Sequence, residues 1–161
     1  MTKPCSKKMT STILPAVHHR DTLLALTVIE AALGILLNAV KPNDKLHVRC
    51  QTVKRWLDTC SPMLRVKRLS SGAQRDLDAA CEALAPHMAM DATGEALLKS
   101  WAALYWTGFT MLLNVRRMGV SLTVGTSWGW LERTCWSLGY LLIEIAPGCD
   151  EQGTDIFLQV S

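Results

Sequence analysis

The chain has 161 residues, 49% hydrophobic and 19% charged, with a net charge of +3. That is enough sequence for one domain with a real core. The small net charge does not by itself argue for nucleic acid, and six cysteines in a chain that is neither short nor loop-rich do not describe a disulfide scaffold.

Residues 1–20 carry Lys3, Lys7, Lys8 and Arg20 among two prolines and many Ser and Thr. This composition predicts a flexible basic arm, with a single helical domain over 21–161. His18 and His19 are adjacent, and neighbours in sequence do not share a helix face, so the pair does not make a metal site. A secretory signal would place its apolar run at the start, whereas here 21 mostly polar residues precede it.

Thr22–Val40 is apolar almost throughout. Asp21 reads as its N-cap and Pro42 as its stop, giving a helix over roughly 21–41. Its polar or small positions Thr27, Glu30, Gly34, Asn38 and Lys41 recur at 3, 4, 4 and 3, one narrow stripe on a helix. The pattern fits a core helix whose stripe touches water. It also fits a membrane span, in which Glu30 would be costly and functional.

The second helix is expected to start at Asn43 or Asp44 and run to about Cys60. Leu46, Cys50, Val53, Leu57 and Cys60 recur at 4, 3, 4 and 3, and Lys45, Arg49, Lys54 and Arg55 lie off that stripe. Arg65, Lys67 and Arg68 follow Pro62 in an expected connector. Lys41 to Arg68 holds eight basic residues against Asp44 and Asp58. These seven off-stripe and connector cations are the candidates for nucleic acid or an acidic partner, because phosphate contacts need clustered cations.

A third helix is expected over 71–90, with Ala73, Leu77, Ala80, Cys81, Leu84 and Met88 inward, and Asp76, Asp78 and Glu82 outward. A fourth over 94–118 carries a weakly polar stripe of Ser100, Ala103, Thr107, Thr110, Asn114 and Arg117 on an otherwise large apolar surface. Val120–Val124 reads as a short extended run. Gly125 to Gly129 then matches G-x-S-x-G, but every histidine precedes Ser127, the reverse of the order a nucleophile elbow requires. Ser127 reads instead as the N-cap of a fifth helix over 127–146, which presents Leu131, Cys135, Leu138, Leu142 and Ile145 inward. Gly125, Gly129 and Gly139 are candidates for close helix approach. The C-terminal segment reads as a short apolar tail, either paired with 120–124 or docked on a partner.

The expected fold is therefore all-α, a compact bundle of about five helices, with the first, fourth and fifth forming the core. Five of the six tryptophans, Trp101, Trp106, Trp128, Trp130 and Trp136, lie in the last two helices. Trp is enriched at interface anchors, so these five are the candidate protein-interface residues. No Gly-rich phosphate loop, paired carboxylates or metal-ligand spacing is visible, so neither a catalytic nor a cofactor role is assigned. The cysteines read as reduced thiols and the chain as cytoplasmic. The functional expectation is a non-enzymatic interaction or regulatory protein, contacting another protein or itself, possible homo-oligomer included. The alternatives are a helical membrane protein with two or three spans and a nucleic-acid binder using the basic 41–68 segment.

Overall fold

The computed structural model describes residues 16–65, 94–117 and 126–160, together with seven helical positions between 71 and 82. Every bounded element among them is helical: α1 (Ala16–Ala39), α2 (Lys45–Arg65), α3 (Gly94–Arg117), α4 (Thr126–Ile145) and α5 (Cys149–Val160). The chain is an all-α bundle. Helix α1 packs on α2 and α3, α2 packs on α4, and α3 carries α5 on its far side.

Helix α1 buries Leu23, Leu26, Ile29, Leu33 and Leu36. Glu30 and Asn38 are exposed, and Thr27 and Gly34 partly so. The polar stripe thus touches water while Leu23, Leu24, Leu26, Val28, Ile29, Ala32, Leu33 and Leu36 face protein. The helix already includes Ala16, so Asp21 lies inside it rather than capping it. Residues 16–20 are helical, not an arm, because nothing between Ala16 and Asp21 breaks a helix. The remainder of the expected arm, 1–15, lies outside the described residues.

Asp44 is the cap of α2: its carboxylate oxygen accepts from the Leu46 amide at 2.9 Å. The inward stripe of Leu46, Cys50, Val53, Leu57 and Cys60 is fully buried. Pro62 does not stop the helix, which runs on to Arg65. In the last turn, proline removes only one intrahelical donor. Arg65 is therefore helical, and Lys67 and Arg68 lie outside the described residues. Of the third expected helix, Ser71, Gly72, Gln74, Arg75, Asp78, Ala79 and Glu82 are helical and exposed. Its expected inward residues lie outside the described set, as does the run Val120–Val124.

Small residues set how closely α3 approaches its neighbours. A Cβ at Gly108 would stand 2.8 Å from Ile29 Cγ1 and 3.1 Å from the Ala25 carbonyl, so α1 and α3 meet nearly backbone to backbone there. The weakly polar stripe of α3 is exposed only towards its C-terminal end, at Asn114 and Arg117. Ala103 and Thr107 are buried under α5. The Thr107 hydroxyl donates to the Ala103 carbonyl at 2.8 Å and lies 3.1 Å from the Gly153 carbonyl.

The C-terminal segment is a helix and not an extended tail. Gly148, at φ +87°, turns the chain after α4, and Asp150 and Glu151 stand in the first turn of α5, where negative charge suits the helix dipole. Gly153 faces α3, and Ile156 and Phe157 pack partly against the core. Between α3 and α4 the backbones stay further apart and rings fill the gap. Trp106 and Phe109 meet Trp136, with Phe109 edge-on to it at 4.9 Å, and Tyr105 packs against both Trp106 and Phe109. Gly139 receives the Trp106 ring. Gly129 has open space around it, and Gly125 lies outside the described residues.

The first, fourth and fifth expected helices correspond to α1, α3 and α4. All three bury large apolar faces, but α1 and α4 do not abut. Helix α2 separates them on one side, and α5 completes the cover of α3. Ile145, expected inward, is exposed, because Trp128, Leu131, Cys135, Leu138 and Leu142 form the inner line of α4. Ser127 falls within the first turn of α4, which begins at Thr126, so it does not occupy the cap.

Candidate functional site

The five tryptophans expected at an interface divide into two sets. Trp101, Trp106 and Trp128 are buried in the core. Their surface is already covered by this chain, which corrects the expectation that they face a partner. Trp130 is 47% exposed, and Trp136 is half-buried. The buried rings pack in a chain of tilted and edge-on contacts through Tyr105, Trp106, Phe109 and Trp136. Such rings bury large areas and account for a Trp-rich interior without any ligand.

On the surface, α2 and α4 run antiparallel side by side. Trp56 stacks on Trp130 with ring centroids 6.0 Å apart and planes 12° from parallel. The Arg133 guanidinium lies over the Trp130 ring, 4.9 Å from its centroid. Two turns from the Trp56–Trp130 pair, Arg49 donates to the Ser137 carbonyl at 3.0 Å, tying the two helices together. Tyr140 is 58% exposed and stacks on Trp136 at 5.5 Å. The outward line of α4 is Trp130, Arg133, Ser137, Tyr140 and Glu144, and all five are exposed. They recur at 3, 4, 3 and 4, a seam on the side of α4 opposite its buried line.

The basic residues of α2 are not gathered into one patch. Lys45 and Arg49 lie a turn apart on the flank beside α4. Lys54 lies on the opposite flank, about 180° from Lys45 at 3.6 residues per turn, and pairs with Asp58 at 3.8 Å. Arg55 is exposed between these flanks. Arg49 is partly buried and engaged with α4.

The described cysteines are buried, unpaired thiols. Burial pushes Cys50 and Cys135 up to about 12, and Cys60 and Cys149 up to about 11. They stay protonated near neutral pH, the reverse of an activated nucleophile. The Tyr105 hydroxyl donates to the Cys135 carbonyl at 2.7 Å, and burial holds its pKa well above the ordinary value. Among the described residues no three His, Cys, Asp or Glu side chains converge on a possible metal position. Among the described residues one segment, Asp21–Ala39, is long and apolar enough to cross a bilayer, and more than half of it is buried inside the chain.

No family model, curated protein or solved structure matches this chain.

Sequence reasoning singled out Trp130 and Trp136 but missed Trp56, Arg133 and the exposure of Tyr140. Two signals were present. Trp56 is a large apolar residue off the buried stripe of α2. The spacing of Trp130, Arg133, Ser137, Tyr140 and Glu144 is a second heptad-like line, opposite the inward one.

Proposed function

We propose that this protein is a non-enzymatic accessory or regulatory factor that acts by protein–protein contact through the aromatic outer face of α4, with Trp56 of α2 beside it. The observation that carries this reading is the exposure of Trp130 and Tyr140, 47% and 58%, on one line of a rigid helix. Large exposed rings on a fixed scaffold lose little conformational freedom on binding and bury much area, which makes them efficient anchors. The Trp130 π-surface is already engaged by the Trp56 ring and the Arg133 guanidinium. That argues against a platform for nucleic-acid bases, which needs free ring faces. The dispersal of Lys45, Arg49, Lys54 and Arg55 argues the same way. A cytoplasmic setting is proposed on the buried unpaired thiols.

A photo-crosslinking side chain placed at Tyr140, in the full chain and in cells, tests this. The expected result is a discrete protein adduct that a crosslinker at Thr154 on the outer side of α5 does not give. Adducts only with lipid or nucleic acid, or no adduct above the Thr154 control, would overturn the reading.

A further inference from the structure

We propose that the partner of this face is a second copy of the chain, packed as a two-fold antiparallel pair of α4 helices. The inference rests on the contact reading above. A two-fold interface uses the same patch twice, so each residue must meet a complementary one placed symmetrically about the patch centre. The outward line of α4 has this property. Arg133 and Glu144 share their midpoint, between Leu138 and Gly139, with Ser137 and Tyr140. An antiparallel register that sets Arg133 opposite Glu144 of the second copy also sets Ser137 opposite its Tyr140. The two-fold then repeats both pairs. Two Arg–Glu pairs, separated along the axis by roughly 16 Å at 1.5 Å per residue, flank two small-against-aromatic contacts. The same register carries Trp130 to Pro147 of the second copy, just beyond the C-terminal end of α4, and Pro147 is exposed.

Charge complementarity selects this arrangement over its alternatives. A parallel pair in register would set Arg133 against Arg133 and Glu144 against Glu144. The antiparallel pair opposes unlike charges at both ends, and like charges facing each other at an interface are strongly disfavoured. The 3, 4, 3, 4 spacing is that of two helices packed along a shared seam, and Ser137 is small enough to let the Tyr140 ring of the other copy lie close. The inner line of α4, Trp128, Leu131, Cys135, Leu138 and Leu142, is committed to the core. The outer line can therefore be covered without unfolding any of the bundle.

Light scattering on a sizing column, with sedimentation equilibrium of the full chain, reads the result. The unmodified chain is expected to be dimeric at micromolar concentration. R133E and E144R, each alone, create two like-charge pairs and should raise the dissociation constant at least ten-fold. An equimolar mixture of the two variants should dimerise again, because both charge pairs of the mixed dimer are then opposite in sign. The double variant R133E/E144R should recover dimerisation as a single species. Unchanged far-ultraviolet circular dichroism shows that each variant is folded. A monomeric unmodified chain, an oligomer indifferent to both single changes, or folded variants that stay monomeric when mixed would overturn the proposal. If the chain is monomeric and the Tyr140 crosslinker captures a different protein, the contact reading stands and self-pairing falls. With no protein adduct at all, both fall.

Discussion

Gly153 lies directly against Trp106: a methyl group added at Gly153 would stand 2.5 Å from the Trp106 Cβ and 2.8 Å from the Ala103 carbonyl. Helix α5 therefore sits on α3 at a spacing that only a hydrogen permits. Gly153→Ala would gain about 1 kcal/mol of helix propensity, but it must push two backbones apart, and overpacking of this kind costs about 1–3 kcal/mol. The expected net effect is destabilisation. Gly34 provides the contrast, because nothing lies within 4 Å of the position its Cβ would take. Gly34→Ala should stabilise by about 0.5–1 kcal/mol. Urea midpoints of the two variants, moving in opposite directions, check both claims.

The tryptophans should separate by burial. Trp106 contacts Tyr105, Phe109 and Trp136. Trp106→Ala should cost about 3–5 kcal/mol, the range for removing a large buried ring. Trp130→Ala removes a half-exposed ring with its stack on Trp56 and its contact with the Arg133 guanidinium, together worth about 1–2.5 kcal/mol. Equilibrium unfolding should show the first variant near or below the limit of folding and the second folded. If Trp130→Ala unfolds the chain, the ring belongs to the core and not to a contact surface.

Asp44 caps α2 through the Leu46 amide. Asp44→Ala should cost about 1 kcal/mol, and Asp44→Asn, which keeps an acceptor oxygen, only a few tenths. Thermal melts of the two variants distinguish loss of the cap from loss of the charge.

Alkaline pH should destabilise the fold. Burial raises Cys50 and Cys135 from 9.0 to about 12. Their folded values lie above their unfolded values, so the unfolded chain gives up these protons first. The stability they contribute is complete below pH 9 and is lost as pH rises from 9 towards 12. Within that window each thiol lowers stability by up to about 1.4 kcal/mol per pH unit. Urea midpoints should be flat in this contribution near neutrality and fall above pH 9. A Cys50→Ala variant should show a shallower fall.

The sequence alone determined helices α1 to α4 and, for most of them, which side faces inward, whereas the segment that forms α5 reads as an apolar tail. The buried line of α2 follows from apolar residues at 4, 3, 4 and 3. The water-touching stripe of α1 follows from Thr27, Glu30, Gly34 and Asn38. Both are local consequences of 3.6 residues per turn, and no other element is needed to read them. What only the tertiary structure decided is which faces meet. Ala103 and Thr107 look like part of a polar stripe, yet they form the seat of α5, because Gly153 arrives from 46 residues away and accepts a hydroxyl contact there. Trp101, Trp106 and Trp128 have the same composition signal as Trp130, yet they are buried, because ring size is favourable both in a core and at an interface. Spacing within one helix cannot separate these outcomes. Two faces of α4 carry heptad-like lines, and only the placement of α2 and α3 commits one to the core and leaves Trp130, Arg133, Ser137, Tyr140 and Glu144 outside.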